Sequence, residues 1–254
     1  MRHLTVEAAG AALEAVHVPS PPGAPTLVFL HEALGALGLW RGFPEALAEA
    51  TGLGWMAYSR RGHGRSAPLA GPRDTIYLDR EALEVLPEML DALGIRRPIL
   101  YGHSDGATIA LIHAAGAAEP AEALIVEAPH SFVEDVALAG IRATMERARS
   151  GDLLQRLGKY HDRPEAIFEA WHAIWLSPEF RDWTIEHRLP AILPPMLAIH
   201  GSADNYGTLR QIETLAAGSA GRVETLVLDG VGHHPHDEAR PAVIEAARRF
   251  IAAL

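Results

Sequence analysis

The sequence predicts an α/β protein built on a mostly parallel β-sheet, because short apolar runs typical of buried strands alternate with helix-like segments. One of these runs ends at a serine between two glycines and continues at once as an apolar helix. The chain has 254 residues, of which 48% are hydrophobic. A chain of this size encloses one substantial core, so we expect one large domain or one domain with an insertion.

The first part of the chain follows this alternation from its start. In order, the predicted elements are an antiparallel hairpin around Gly10, a proline-rich connector at 19–25, a buried strand at 26–30, a helix ending at Gly52, a strand in "GWMAYS" and an amphipathic helix from Asp74 to Leu93. Pro87 lies inside the last of these helices and is expected to kink or restart it.

The second part contains four further strands and one interruption. The strands are "PILYGH", "EALIVEA", "MLAIHG" and "VETLVLDG", and a final helix buries Val243, Ala247, Phe250, Ile251 and Leu254. Residues 132–187 contain no convincing strand, several helical stretches and three of the five tryptophans. We therefore expect a core domain formed by 1–131 and 188–254, with 132–187 as a helical cap inserted between two strands.

The glycine-flanked serine is Ser104, in Gly102-His103-Ser104-Asp105-Gly106. A strand that ends there and a helix that begins there fit a sharp strained turn, in which small flanking residues let the helix approach and the serine oxygen stands clear of the sheet. On this motif and its context the chain resembles the α/β-hydrolase superfamily, from about Leu4 to its end. The resemblance implies an eight-stranded, mostly parallel sheet flanked by helices, with a lid inserted after strand six.

A serine hydroxyl is a poor nucleophile near neutral pH, so it needs a base and a group that orients that base. The resemblance implies the order serine, acid, histidine, which matches Asp204 in "HGSADNYG" and His233 in "DGVGHHPHD". Glu127, at the end of an earlier strand, stays open as an alternative acid. His234 and His236 stay open as alternative bases.

Acyl transfer also needs donors for the developing oxyanion. The resemblance implies the backbone amide of Asp105 and one amide from "HEALG", for which Ala33 is favoured while Leu34 and Glu32 stay open. Glu32 stands where relatives usually have glycine, and we expect its carboxylate to hold the loop in place.

Aromatic residues of the insertion are candidates for contact with the substrate. Trp171 and Trp175 fall at helical spacing, with Phe132 nearby. Such aromatics usually pack a helix against its neighbours, but in a lid one side of that packing also forms the roof of a pocket. We expect these three residues to contact a small apolar or aromatic substrate.

Composition excludes several classes of function. The formal net charge of −10 argues against nucleic acid as a partner, and the absence of cysteine excludes disulfides and thiolate chemistry. No apolar run is long enough for a signal peptide or a membrane span, so we expect a cytoplasmic protein without a membrane partner, monomeric or homodimeric. The histidines of "HHPHD" lack a ligand spacing that fits a metal site, and we expect no metal and no cofactor.

These observations predict a serine hydrolase that cleaves a carboxylic ester, or a similar acyl bond such as a thioester or lactone, through an acyl-enzyme. Carbon-carbon bond hydrolysis or enol-lactone opening on the same triad stays open. So does a ligand receptor with slow turnover, because a fold does not by itself fix a function.

Overall fold

The computed structural model describes residues 2–254. At its centre is an eight-stranded sheet with the order β1-β2-β4-β3-β5-β6-β7-β8. The strands are β1 Arg2–Ala8, β2 Ala11–Val18, β3 Thr26–Leu30, β4 Gly54–Tyr58, β5 Pro98–His103, β6 Ala123–Glu127, β7 Met196–Gly201 and β8 Val223–Leu228. Strand β2 pairs antiparallel with both of its neighbours, and every other pairing is parallel. The predicted fold class is confirmed.

Helices cover both faces of this sheet. They are α1 Phe43–Thr51, α2 Tyr77–Arg80, α3 Leu86–Ala92, α4 Asp105–Gly116, α5 Asp135–Ser150, α6 Leu153–Leu157, α7 Pro164–Trp175, α8 Arg210–Gly218, α9 Pro235–Glu238 and α10 Arg240–Ala252. Alternate residues of the central strands enter two separate hydrophobic clusters, as the period of two along a strand requires. Helices α1 and α10 pack in one cluster, and α4 and α8 pack in the other.

Two of the predicted helices are interrupted in the structure. The helix expected to end at Gly52 is preceded by a separate 3₁₀ turn, because Arg41 and Gly42 adopt φ angles of 49° and 77°. The helix expected from Asp74 contains a π-helical turn at Glu81–Val85, directly before α3. Pro87 is in the first turn of α3, directly after this π-helical turn, so the helix changes its type at the place where the sequence predicted a kink or a restart.

The C-terminal helix buries Val243, Ala247 and Phe250, as predicted. Leu254 is instead 49% exposed, because α10 ends at Ala252 before the chain reaches this residue. No helix among residues 2–254 combines the length and apolarity needed to cross a bilayer.

Between β6 and β7 the chain forms α5, α6, α7 and a 3₁₀ turn at Pro178–Phe180. A single antiparallel bridge joins Phe132 to Thr184, near the two ends of this segment. Trp171 and Trp175 of α7 belong to the same hydrophobic cluster as one face of the sheet. The expected boundaries of the cap at 132 and 187 stay a prediction.

Candidate active site

Ser104 lies at a strained turn between β5 and α4. Its backbone has φ 53° and ψ −115°, a conformation that is costly for a residue with a side chain. The two glycines allow this turn, because a Cβ at Gly106 would lie 1.9 Å from the carbonyl oxygen of Leu30, and one at Gly102 would lie 2.3 Å from that of Gly106. The sequence motif thus has a steric cause in the close approach of helix and sheet.

Three side chains from distant parts of the chain meet at this turn. The Nε2 atom of His233 is 3.1 Å from Oγ of Ser104, and its Nδ1 atom is 2.8 Å from Oδ2 of Asp204. A carboxylate only accepts hydrogen bonds, so Nδ1 carries the proton and Nε2 accepts from the serine hydroxyl. This is the arrangement in which an imidazole can remove the proton of the serine.

The Asp204 side chain is fully buried at the end of β7. Burial by itself would raise the pKa of Asp204, but the hydrogen bond and charge of His233 and the Tyr206 amide hold that pKa at about 2. The Tyr206 amide donates to Oδ1 at 2.8 Å, which leaves Oδ2 for the histidine. Asp204 is therefore charged at neutral pH and can stabilise a positive imidazole.

Glu127, the alternative acid, has other partners. Its Oε1 atom accepts from Nδ1 of His236 at 2.7 Å and from the backbone amide of His236 at 3.0 Å. Its Oε2 atom accepts from the hydroxyl of Tyr101. Burial lowers and the Glu127 charge raises the pKa of His236, and the net result is an increase. Glu127 and His236 thus form a second buried carboxylate-histidine pair, separate from the one at Ser104.

The backbone amides of Ala33 and Asp105, two residues that line the cavity beside Ser104, have no hydrogen-bond acceptor in the described part of the chain, and neither has that of Glu32. The amide of Leu34 differs, because it donates to Oε2 of Glu32 at 2.5 Å. Burial raises the pKa of this Glu32 carboxyl, against the opposing hydrogen bond from Leu34. The Glu32 carboxyl thus accepts from the Leu34 amide, one of the alternative oxyanion donors. The Ala33 amide stays free to bind an oxyanion.

Arg60 fixes this loop to the start of α4. Its guanidinium donates to the carbonyl of Glu32 at 2.8 Å and lies 3.5 Å from Oδ2 of Asp105. The backbone amide of Arg60 donates to Nε2 of His31 at 3.0 Å. Burial, followed by the charge of Arg60, lowers the pKa of His31, so this histidine is a neutral structural residue of the loop.

The insertion also contacts the loop through His161. Its Nδ1 atom accepts from the amide of Gly64 at 3.0 Å, so Nε2 carries the proton and donates to the carbonyl of Leu34 at 2.9 Å. A residue between α6 and α7 is thereby bonded to the segment that contains the free Ala33 amide.

A cavity of about 390 Å³ opens onto Ser104 and His233. This volume is in the range of pockets for small molecules. Trp171 and Trp175, two of the three residues expected to contact the substrate, line this cavity, whereas Phe132 does not. The Phe132 ring instead lies under the guanidinium of Arg210, at 5.3 Å.

Trp175 also connects the segment between β6 and β7 to the turn at Ser104. Its Nε1–H donates to the hydroxyl of Tyr77 at 3.1 Å, and that hydroxyl donates to Oδ2 of Asp105 at 2.9 Å. The indole N–H is therefore used within the protein, and Trp175 can offer a substrate only its ring.

One group of described side chains has atoms placed closely enough to hold a metal ion. Ligand atoms of His103, Glu127 and His236 lie within 4.8 Å of one another. Glu127 already accepts from His236, and Nε2 of His103 donates to the carbonyl of His233 at 2.7 Å. These hydrogen bonds are sufficient to explain why the three side chains lie close together.

Comparison with known proteins agrees with this fold. The model of the alpha/beta hydrolase family matches residues 27–247. The chain belongs to this family. Among curated relatives, the hydrolase is 31% identical over 180 residues to the 2-succinyl-6-hydroxy-2,4-cyclohexadiene-1-carboxylate synthase of Salmonella paratyphi A, a match covering 69% of this chain and 63% of the relative.

Solved structures similar to the hydrolase show the same fold at low identity. A bacterial membrane phospholipase A superposes with a TM-score of 0.80 and 19% identity, over 99% of this chain and 86% of the other. The enol-lactonase from Burkholderia xenovorans LB400 superposes with a TM-score of 0.76 and 21% identity, over 98% of this chain and 100% of the other.

The structure adds two residues to the site that the sequence analysis did not identify, His130 and Tyr206. The Tyr206 ring lies 4.7 Å from the ring of His233, and His130 lies 5.9 Å from it. The Nδ1 atom of His130 is buried without a described partner. Both residues line the cavity. The only sequence signals for them are that His130 lies shortly after β6 and that Tyr206 lies shortly after Asp204.

His130 should make the stability of the hydrolase sensitive to acid. Burial and then the charge of His233 lower the pKa of His130 to about 4, whereas the unfolded chain binds this proton near 6.5. The unfolded state therefore gains protons first as the pH falls, and His130 removes about 2 kcal/mol of stability between pH 7 and pH 5. In His130→Gln this acid-induced loss should be smaller by that amount, measured by urea unfolding at both values.

The exposed His187 provides the control for this measurement. His187→Gln should retain the acid sensitivity of the unchanged protein. An equal loss of stability in His130→Gln and the unchanged protein would contradict the assignment of a neutral buried imidazole at residue 130.

Proposed function

We propose that this alpha/beta hydrolase cleaves a carboxylic ester, or a similar acyl bond such as a thioester or lactone, of a small substrate with an apolar or aromatic part. The single observation that carries the proposal is the continuous hydrogen-bond chain from Ser104 through His233 to Asp204, which opens onto a cavity. Free backbone amides beside the serine supply the other requirement of acyl transfer.

The mechanism uses each of these groups once in every half-reaction. Ser104 Oγ attacks the carbonyl carbon while His233 Nε2 takes the hydroxyl proton and Asp204 stabilises the charged imidazole. The amides of Ala33 and Asp105 bind the oxyanion. Collapse breaks the acyl bond, and His233 returns the proton to the leaving alcohol or thiol. A water molecule then repeats the sequence on the acyl-serine and releases the acid.

We infer that residues 132–187 act as a lid over this chemistry, on the core formed by 1–131 and 188–254. Trp171 and Trp175 line the cavity from α7 and exclude water from one side of it. Reaction in a cavity from which water is excluded strengthens the interactions of the oxyanion with its donors.

A second candidate function on the same triad is hydrolysis of a carbon-carbon bond or opening of an enol-lactone. The observation that favours it is the Salmonella relative, which is by its name a cyclohexadiene carboxylate synthase and not an ester hydrolase. Both candidate reactions need the same proton transfer by His233, so the substrate distinguishes them.

The decisive experiment combines a fluorophosphonate probe with a substrate panel. We expect the probe to label Ser104 stoichiometrically, and we expect catalytic turnover of 4-nitrophenyl esters with apolar acyl chains. Labelling with turnover only of a vinylogous diketone or an enol-lactone would favour the second candidate. Labelling followed by a single stoichiometric burst would indicate a receptor, and a protein that the probe does not label would contradict the proposed nucleophile.

A further inference from the structure

The cavity beside Ser104 contains an unusual concentration of positive charge. The whole chain has 22 lysine and arginine residues against 32 aspartate and glutamate residues. Nevertheless, three arginines from different segments line this one cavity, namely Arg41, Arg147 and Arg156. The lining also contains the carboxyl groups of Glu32, which accepts from the Leu34 amide, and Asp105, which lies 3.5 Å from Arg60. Both carboxyl groups have partners within the protein, so the cavity can attract an anion through its arginines.

Only two of these arginines have a carboxylate partner within the described part of the chain. Arg41 lies 3.1 Å from Asp237, and Arg156 lies 3.3 Å from Asp152. Arg147 donates to the hydroxyl of Thr144 at 2.7 Å and forms no ion pair with any described residue. A guanidinium has five N–H donors, so Arg147 retains donors for a ligand.

The Arg147 guanidinium is connected to the catalytic wall of the cavity. Thr144 is buried, and its hydroxyl lies 2.5 Å from that of Tyr206. The backbone amide of Tyr206 donates to Asp204, and its ring packs 4.7 Å from that of His233. Arg147 is thus positioned by the same residue that positions the acid and the base.

The cavity also has an extensive apolar lining beside these polar and charged groups. This lining is formed largely by helices α5, α6 and α7 and includes Ala137, Ile141, Leu153, Leu157, Trp171 and Trp175. A ligand that reaches from Ser104 to Arg147 therefore needs an apolar middle and an anionic end.

We propose that Arg147 is the anion subsite of this cavity, and that the substrate is an acyl compound with a free carboxylate remote from the bond that Ser104 attacks. The placement of the acyl bond at Ser104 rests on the proposed function. A guanidinium matches a carboxylate with two parallel hydrogen bonds, which gives both affinity and orientation. The subsite therefore determines which acyl chains are presented to the serine.

A pair of esters of equal chain length tests this subsite. We expect the unchanged protein to have a higher kcat/KM for 4-nitrophenyl hydrogen adipate than for 4-nitrophenyl hexanoate. In Arg147→Gln the ratio of the two kcat/KM values should fall about tenfold or more, as expected for loss of hydrogen bonds to a charged group. Arg147→Lys, which keeps the charge but loses the paired donors, should give an intermediate ratio.

Arg142 provides the matched control, since it is an exposed arginine of α5 that does not line the cavity. Arg142→Gln should leave the ratio within twofold of that of the unchanged protein. An unchanged ratio in Arg147→Gln, or an equal fall in Arg142→Gln, would overturn the subsite.

A binding measurement separates this inference from the proposed function. Hydrolysis of neither ester by the unchanged protein would count against ester hydrolysis but not against the subsite. In that case calorimetric titration with adipate decides, because Arg147→Gln should weaken binding about tenfold if the subsite exists and should leave it unchanged if it does not.

Discussion

Replacement of Ser104 by alanine should reduce kcat/KM for an activated aryl ester by about four orders of magnitude or more, because no other group can form the acyl intermediate. Among the described residues, Oγ of Ser104 forms a hydrogen bond only with His233, so its removal costs the fold little. We expect the thermal unfolding midpoint of Ser104→Ala to equal or exceed that of the unchanged protein, since the substitution removes no packing contact. The measurements are steady-state hydrolysis and a thermal melt.

The exposed Ser202 offers a matched serine for the control, because it lies in the loop that leads to Asp204 but does not line the cavity. Ser202→Ala should retain full activity. Hydrolysis by Ser104→Ala at more than about one hundredth of the original rate would reassign the nucleophile.

The second large effect is expected at the acid, where Asp204→Asn should lower kcat/KM by about four orders of magnitude. The asparagine amide does not stabilise a positive imidazole, and its NH₂ group favours the wrong tautomer of His233. Glu127→Gln should lower activity about tenfold at most, because Glu127 bonds His236 and not the base at Ser104. Activity measurements on both variants distinguish the two carboxylates.

Stability should respond in the opposite order. Glu127→Gln removes the carboxylate of the buried pair with His236, and loss of one partner of a buried charged pair costs about 3–5 kcal/mol. Urea unfolding should therefore show the greater loss of stability for Glu127→Gln. A greater loss of activity in Glu127→Gln than in Asp204→Asn would show that the alternative acid is the functional one.

The fold was predictable because its signals are local. The apolar runs that form the central strands can be recognised from residues near in sequence. The glycine motif around Ser104 can also be recognised locally, although only Gly102 has a local steric cause, in the approach of α4, whereas Gly106 is required by the carbonyl oxygen of Leu30. Pro87 likewise predicted the place where α3 begins from its missing N–H alone.

Other parts of the site depend on pairs of residues that are distant in sequence. The sequence favoured Asp204 but left Glu127 open, because Asp204 follows β7, Glu127 ends β6, and each is close to a histidine only after folding. Phe132 was expected near the substrate for its aromatic character. Its bridge to Thr184 and its contact with Arg210 instead hold it elsewhere, and neither interaction has a local sequence signal.

The role proposed for Arg147 could likewise not be predicted from the charge pattern of the sequence. Several arginines follow one another along α5, and the pattern by itself is typical of a solvated helix face. What distinguishes Arg147 is the position of Thr144 beside the hydroxyl of Tyr206, a contact between residues 62 positions apart. Only the folded chain shows that Arg147, although exposed like Arg142 and Arg149, also lines the cavity.

The bonds made by His161 and Trp175 have a consequence for how a substrate would enter. His161 is bonded to the carbonyl of Leu34, and Trp175 is linked through Tyr77 to the carboxylate of Asp105. Outward displacement of these two residues would break hydrogen bonds to the segments that carry the amides of Ala33 and Asp105, the proposed oxyanion donors. Closure over the substrate and formation of the hydrogen bonds around Ser104 would then occur in one step. The open form would lack these bonds, so a water molecule that enters it would meet an incomplete reaction centre.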